Sequence, residues 1–146
     1  MYNKIQLNPY KNIIHLKNVK INKMSFTPEN KKQLQTAIEN YYEYEGIATY
    51  GPINSWDVSK INDMSNIFCN CRYFNESISN WDVSNVTNMK SMFNNNVSFN
   101  KPLNNWNVSN VVNMESMFEN ANNFNQSINN WNVSNVKNMK NMFKGC

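Results

Sequence analysis

Apolar side chains recur every 25 residues over the last two thirds of the chain. Each copy opens with tryptophan. Valine follows two residues after the tryptophan, methionine eight residues after it and phenylalanine twelve residues after it. Such a fixed period is typical of a solenoid, in which one coil cannot bury its apolar side alone and stacks on its neighbours. We expect the core to include Trp56, Trp81, Trp106, Trp131, Met89, Met114, Phe93 and Phe118.

Two shorter patterns alternate within each copy. Ile78, Trp81 and Val83 have the spacing of a leucine-rich repeat, which places Trp81 and Val83 on one face of a short strand. The apolar positions of residues 86–93 then fit one face of a two-turn helix, for which Ser84 or Asn85 is a suitable N-cap. We therefore predict an α/β fold, a leucine-rich-repeat-like solenoid of short parallel strands and short helices.

The chain is predicted to have two parts. Residues 53–146 contain three full repeats and one partial repeat. Residues 1–52 form the expected N-terminal capping segment, with an amphipathic helix over about 28–44 that has Thr27 as N-cap. Alternating apolar residues over 14–21 predict one or two further strands. The last repeat lacks a matching cap, so its apolar end is expected to invite self-association.

The repeat reads W-[DN]-V-S-N-V-x-N-M-x-x-M-F, followed by F-N-x-[SP]-[IL]-x-x-W. It closely resembles the repeats of BspA-like leucine-rich-repeat surface proteins and mycoplasma-type lipoproteins, which also occur in protists and giant DNA viruses. The resemblance covers about residues 26–146 and implies a leucine-rich-repeat-type solenoid used for adhesion or protein binding. Two features depart from that family, because a lipoprotein signal with its lipidation cysteine is absent and the array is short.

Charge and hydropathy narrow the classes of partner. The net charge is +4 and is spread along the chain without a basic stripe, so we expect no nucleic-acid partner. The N-terminus lacks a signal peptide and no apolar run is long enough to span a membrane, so we expect a cytoplasmic protein without membrane contact, in a host cytoplasm if the source is viral. Cys69, Cys71 and Cys146 are then expected as free thiols.

The sequence does not indicate catalysis. The single histidine, His15, lies outside the repeats, and no nucleophile-and-base set can be assembled around it. The cysteines lack metal-ligand spacing, and only 3 glycines are present, without a phosphate-binding loop. We therefore predict a protein that is not an enzyme and binds no cofactor or metal.

Two rows of polar residues flank the tryptophans and are predicted to point outward. They form the candidate partner-binding surface, which consists of Asp57, Asp82, Asn107, Asn132, Asn80, Asn105 and Asn130. Alternatively, stacked asparagines bond each other between coils and need no ligand. Recognition could instead use the loop edge where the copies differ, as at Arg72 and Tyr73.

The sequence leaves three functions open. The first is a protein–protein interaction module that binds an unidentified protein through the polar face or the loop edge. The second is a structural protein that self-assembles into a homo-oligomer through the uncapped C-terminal repeat. The third is a surface adhesin, which would require export.

Overall fold

The computed structural model describes residues 25–43 and 46–146. Within these residues the helices are α1 (Lys31–Asn40), α2 (Gly46–Tyr50) and a single 3-10 turn (Ile53–Ser55). The 25-residue repeats that follow form four coils, which we number 1 to 4: residues 56–80, 81–105, 106–130 and 131–146. No strand occurs in the described part of the chain.

Four columns of peptide hydrogen bonds run along the stack with their N–H groups directed at the following coil. A fifth column runs the other way, in which the N–H groups of Thr87, Val112 and Lys137 donate to the carbonyls of Asn62, Thr87 and Val112 at 2.8 Å. In the first of the four columns the Met64 N–H donates to the Asn88 carbonyl (2.9 Å), Met89 to Asn113 (2.8 Å) and Met114 to Asn138 (2.8 Å). Each donor therefore bonds a carbonyl 24 residues later, in the following coil. The N–H donors of the other three columns, at 2.8–3.0 Å, are Asn66, Ser91 and Ser116; Phe68, Phe93 and Phe118; and Asn70, Asn95 and Asn120.

Left-handed backbone makes this arrangement possible. Ser91 and Asn95 have φ angles of 53° and 56°, and they recur at two positions in every coil. The equivalent residues with positive φ are Asn66, Asn70, Ser116, Asn120, Asn141 and Gly145. Between them the remaining N–H groups close tight turns inside the coil, as in the bond from Met92 to the Met89 carbonyl (3.2 Å). Alternate peptide groups therefore point along the stack and within the coil.

The predicted helix over residues 86–93 is wrong. Beyond its first turn an α-helix directs its N–H groups toward carbonyls of its own segment, whereas here the N–H groups of Ser91 and Phe93 bond to the next coil. The left-handed Ser91 interrupts helical geometry, which L-residues sustain only with negative φ. A succession of tight turns buries the same apolar positions that a helix would have buried.

The predicted sheet is also wrong. Parallel pairing in the described residues is limited to isolated bridges joining Asp63 to Asn88, Asn88 to Asn113 and Asn113 to Asn138. Trp81 and Val83, which were expected on a strand, make only local backbone turns, from the Trp81 N–H to Ile78 and from Val86 to the Val83 carbonyl. The α/β class and the leucine-rich-repeat-like solenoid of parallel strands and helices are therefore corrected to a stack of turn-rich coils.

Side chains replace the missing backbone ladder on the tryptophan side of the coils. The Trp81 indole N–H donates to the Ile53 carbonyl of the preceding turn (2.8 Å), and Trp106 and Trp131 repeat this bond with Ile78 and Leu103. Asparagine amides add a second link, since Asn85 Nδ2 donates to the Ser59 carbonyl (2.9 Å). Asn110 and Asn135 make the same bond to Ser84 and Ser109 at 2.7 Å.

The core consists of stacked apolar columns. Rings of Phe68, Phe93, Phe118 and Phe143 lie 5.3–5.6 Å apart between coils, with planes within 7° of parallel. Phe74, Phe99 and Phe124 form a second column beside the first, 4.1–4.3 Å from it within each coil. The buried residues include Trp56, Trp81, Trp106, Trp131, Met89, Met114, Phe93 and Phe118.

Helix α1 closes the first coil. Its buried side chains Leu34, Ala37 and Ile38 join the same core as the coils, and Lys31 Nζ contacts Asp63 Oδ2 at 3.0 Å. The predicted helix over about 28–44 is too long, because the Asn30 side chain accepts the Gln33 N–H (3.0 Å) and starts the helix at Lys31.

Other expectations for this region have different outcomes. Asn30, rather than Thr27, is the N-cap. Gly46 begins α2. The predicted strands over 14–21 and His15 lie outside the described residues.

Trp106→Ala should strongly destabilise the protein. Trp106 is 3% exposed, and its indole N–H donates to the Ile78 carbonyl at the end of coil 1, so the substitution removes a large buried ring and an inter-coil hydrogen bond. We expect the free energy of unfolding to fall by about 3–5 kcal/mol, measured by urea unfolding. Trp106→Phe serves as the control and should lose roughly 1–2 kcal/mol. An unchanged melting temperature for Trp106→Ala would contradict the structural role of this column.

Ser91→Val tests the left-handed backbone. A β-branched residue at the φ of 53° found there should cost about 1–2 kcal/mol, whereas Ser91→Gly should be neutral or stabilising. Ser98→Val is the matched control, because Ser98 has no positive φ. The melting temperatures of the three variants are compared with that of the wild type. Equal decreases for Ser91→Val and Ser98→Val would contradict a left-handed backbone at Ser91.

Candidate interaction surfaces

The first polar row is exposed and forms turns within its own coil. Asp57 Oδ1 accepts the Ser59 N–H (3.1 Å), and Asp82 Oδ1 accepts the Ser84 N–H (3.0 Å). Asn107 and Asn132 bond the backbone of Ser109 and Ser134 in the same way. These Asx turns use one side-chain atom of each residue. The second carboxylate oxygen or the amide NH₂ group of each residue makes no hydrogen bond within the described part of the chain.

The second polar row leaves its amides unused. Asn80, Asn105 and Asn130 are exposed. The backbone N–H groups of Asn80 and Asn130 donate to the side chains of Asn54 and Asn104. The side-chain amides of all three residues have no hydrogen-bond partner among residues 25–43 and 46–146. We call the two rows together the polar surface.

Bonding between stacked asparagines occurs elsewhere. Asn95 Nδ2 donates to Asn70 Oδ1 (3.1 Å), and Asn120 Nδ2 donates to Asn95 Oδ1 (3.0 Å). The backbone of Asn100 and that of Asn125 likewise bond the side chain one coil earlier. Bonding between asparagine side chains therefore describes the column of Asn70, Asn95 and Asn120, whereas in the polar surface only the backbone N–H groups of Asn80 and Asn130 bond asparagines of the preceding turn.

The charge of the polar surface changes along the stack. Hydrogen bonds from the Ser59 hydroxyl and backbone hold the pKa of Asp57 below its ordinary value, so this carboxylate is ionised at neutral pH. Coils 1 and 2 contribute Asp57 and Asp82 to the row, while coils 3 and 4 contribute the neutral Asn107 and Asn132. The surface is thus acidic at one end and neutral at the other.

The loop edge joins the N-terminal cap to coil 1. Arg72 and Tyr73 are exposed there, Tyr73 at 46%. The Tyr42 hydroxyl donates to Glu76 Oε1 (3.2 Å). Burial and the neighbouring Glu76 carboxylate raise the pKa of Tyr42, so the phenol keeps the proton that it donates. The repeats differ in sequence at this edge. Glu76 of the edge also binds the N-terminal cap through its hydrogen bond with Tyr42.

The outer face of coil 4 is a further exposed surface. Val133, Met139 and Phe143 are 40%, 40% and 46% exposed, whereas their counterparts in coil 3 are at most 1% exposed. The peptide N–H groups that end the four columns belong to Met139, Asn141, Phe143 and Gly145, and they have no acceptor in the described residues. We call this surface the coil 4 face.

The sequence predicted that apolar side chains are exposed at the coil 4 face. It did not predict the backbone N–H groups that point out of this face. The available signal was the series Asn70, Asn95, Asn120 and Gly145 at a spacing of 25. Asparagine and glycine are the residues that adopt left-handed backbone most readily. Their alternation at one position therefore indicates a positive φ, from which the direction of the neighbouring peptide groups follows.

Comparison with known proteins identifies the family. The family described as "Mycoplasma protein of unknown function, DUF285" matches residues 37–146, about three quarters of the chain. The chain belongs to the DUF285 family. No curated protein and no solved structure matches it. The similarity to mycoplasma-type surface repeats is thereby shown at the level of this family.

The thiols of the DUF285 chain are not paired. Cys69, Cys71 and Cys146 are free, as expected from the sequence. Burial raises the pKa of Cys71 to about 12, so its thiol is protonated and unreactive at neutral pH. The Cys146 thiol lies 2.9 Å from the Phe118 carbonyl.

Two further observations concern metals and membranes. In the residues that the structure describes, no group of three or more His, Cys, Asp or Glu side chains is placed to hold a metal ion. None of the helices described is long and apolar enough to cross a membrane.

Acid should weaken this DUF285 protein through specific carboxylates. Burial opposes ionisation of Asp63, but hydrogen bonds from Ser65 and Lys31 outweigh it and lower the pKa; the pKa values of Asp57 and Glu119 are lowered as well. A lowered folded-state pKa stabilises the fold above the unfolded value, near 4, and this stability is lost as pH falls through the folded pKa. We expect the free energy of unfolding to be constant from pH 7 to about 5 and to decline below about 4, measured by urea unfolding.

Asp63→Asn is the control for the acid effect. Asparagine occupies the equivalent positions 88, 113 and 138 and makes the same turn there, so the variant should fold normally. It should show a smaller decline in stability between pH 5 and pH 3. An identical decline in the variant would exclude Asp63 as a contributor.

Proposed function

We propose that this DUF285 chain is a non-enzymatic protein-binding module whose partner docks on the polar surface. The observation that carries the proposal is the set of exposed, unbonded amides of Asn80, Asn105 and Asn130. Each amide offers two N–H donors and a carbonyl acceptor, so the row can pair with the backbone of a bound segment.

The stack holds these amides in fixed positions. The backbone around each coil is anchored to its neighbours by peptide columns, by Trp indoles and by the Asn85-type amides. A partner that meets pre-ordered groups loses less conformational entropy on binding than one that must order them. The turn at Asp82, closed by the Ser84 N–H, fixes the first row in the same manner.

The charge gradient sets the orientation of the partner. Asp57 and Asp82 make the surface acidic at coils 1 and 2, so a bound segment with basic groups at one end would place that end there. The neutral end, at Asn107 and Asn132, would contact uncharged polar groups. The variable loop edge, with exposed Arg72 and Tyr73, could extend the contact, since Arg and Tyr are enriched in protein interfaces.

The finer relationship to BspA-like surface-repeat proteins is part of the proposal. It is supported by the motif W-[DN]-V-S-N-V-x-N-M-x-x-M-F, which recurs in all four coils with small variations. That relationship implies binding to proteins or adhesion to cell surfaces. It is proposed here for the function alone, because the described residues do not have the strand-and-helix coils expected from it.

The double variant Asp57→Lys/Asp82→Lys tests the proposal. Its side chains are exposed, so the fold should persist with some loss of stability from the two Asx turns, while the acidic end of the polar surface becomes basic and repels the partner. Immobilised wild-type protein and the variant are compared for proteins retained from a lysate of the native host, with identification by mass spectrometry. We expect proteins retained by the wild type to be lost from the variant.

A matched variant separates a local effect from a change of net charge. Glu39→Lys/Glu43→Lys changes the net charge by the same amount at exposed positions of the N-terminal cap. It should retain the same proteins as the wild type. The proposal fails if all three proteins retain the same set, or if both variants lose it equally while each still melts cooperatively.

A further inference from the structure

We propose that the partner of the polar surface is a second copy of this chain, packed face to face and antiparallel about a two-fold axis. The inference rests on the proposed function, because it names the partner of the same surface. In this arrangement coil 1 of each chain faces coil 4 of the other, and coil 2 faces coil 3. Hydrogen-bonding groups, repeat length and charge each favour it.

The first polar row is complementary to its own reversed copy. Asn132 of one chain then lies opposite Asp57 of the other, and Asn107 lies opposite Asp82. Within the described residues, one carboxylate oxygen of each aspartate and the amide NH₂ group of each asparagine make no hydrogen bond. An amide N–H donates to a carboxylate in a charge-assisted bond, roughly twice as strong as a neutral one. The two-fold axis makes each pairing occur twice.

Reversal also pairs the second polar row with itself. Asn80 of one chain faces Asn105 of the other, and Asn130 faces Ser55, which is likewise exposed. An asparagine amide carries donors and an acceptor, so two amides bond each other reciprocally. The amides of Asn80 and Asn105 have no other partner in the part of the chain that the structure describes.

Equal repeat lengths keep the facing rows in register. Parallel bridges connect neighbouring coils, and such pairing spaces the backbones about 4.7–4.9 Å apart. Side chains on one face of an extended peptide recur every 6.6–6.8 Å or so, which would put a peptide lying along the stack out of register by roughly 2 Å at each coil. A helix, with a pitch of about 5.4 Å, drifts less. A second copy does not drift, because its coils have the same spacing.

Charges outside the two rows favour the same orientation. Coil 1 carries three acidic and two basic side chains, whereas coil 4 carries three basic and no acidic ones. Coil 2 carries two basic and one acidic side chain, whereas coil 3 carries two acidic and no basic ones. The antiparallel arrangement therefore brings coils of opposite net charge together. A parallel arrangement would oppose like charges and place Asp57 and Asp82 against their own copies.

Sedimentation velocity of the 146-residue chain over a range of concentrations tests the inference. We expect a reversible equilibrium between monomer and dimer. The double variant Asn107→Asp/Asn132→Asp makes carboxylates face carboxylates along the first row. Asp forms the same turn at positions 57 and 82, so this variant should fold normally. Its dimer dissociation constant should rise roughly tenfold or more.

The double variant Asn107→Lys/Asn132→Lys tests the orientation. In the antiparallel dimer its lysines face Asp57 and Asp82, so the dissociation constant should fall about tenfold. In a parallel dimer lysines would face lysines and the dissociation constant would rise. A rise in a variant that still melts cooperatively contradicts the inference. The aspartate variant alone decides the test if the lysines prevent folding.

A matched control separates contact at the polar surface from a change of net charge. Asn123→Asp/Asn125→Asp adds the same charge at exposed positions of the loop edge in coil 3. This variant should dimerise as the wild type does, within about twofold in the dissociation constant. Equal weakening in the two aspartate variants would overturn the inference.

The outcome also separates this inference from the proposed function. A wild-type chain that stays monomeric at every concentration overturns the inference. If the Asp57→Lys/Asp82→Lys variant of that monomer still loses host proteins that the wild type retains, the proposed function stands with a different protein as partner. A monomer that retains no host protein overturns both.

Discussion

The four columns of peptide hydrogen bonds are the interaction on which the structure depends. Each net hydrogen bond contributes only about 0.5–1.5 kcal/mol, but together with the fifth, oppositely directed column these bonds are the regular backbone pairing between neighbouring coils of the described residues. The columns determine the separation of the coils, and the aromatic rings stack at that separation, with Phe93 and Phe118 5.3 Å apart. Because the peptide groups point along the stack, the side chains on the inner side of each coil are left to fill the core.

The high asparagine content has a physical explanation in this architecture. The chain contains 34 asparagines, and three structural demands favour that residue. Asn95 and its equivalents adopt left-handed backbone, Asn88 and its equivalents close Asx turns, and Asn85 and its equivalents bond the preceding coil. Asparagine tolerates positive φ and hydrogen-bonds backbone over short range better than most residues. The side chains of Asn80, Asn105 and Asn130 in the second polar row meet none of these three demands. They differ in this respect from the asparagines that support the coils.

The sequence predicted which residues are buried better than how the backbone runs. Period and hydrophobicity identify Trp81, Met89 and Phe93, because burial depends on side-chain chemistry repeated at 25-residue intervals. The same spacing suits a helix or a chain of tight turns, and serine at position 91 does not reveal its positive φ. The outward polar rows could be placed from alternation around the tryptophans. The direction of the backbone decides which of their amides are unbonded and which N–H groups point out of coil 4. These two features could therefore be identified only from the structure.

The columns also restrict which insertions and deletions the protein can tolerate. Every bond of the four columns joins a residue to the carbonyl 24 positions later. A one-residue deletion in a segment such as 88–95 would therefore exchange inward and outward side chains and misalign these columns. A duplicated or deleted unit of 25 residues would leave all bond registers unchanged. Length can thus vary in this lineage by whole coils, while substitutions accumulate freely only where side chains leave the stack. Divergence between relatives should accordingly appear as changed surfaces and changed coil number on an invariant repeat length.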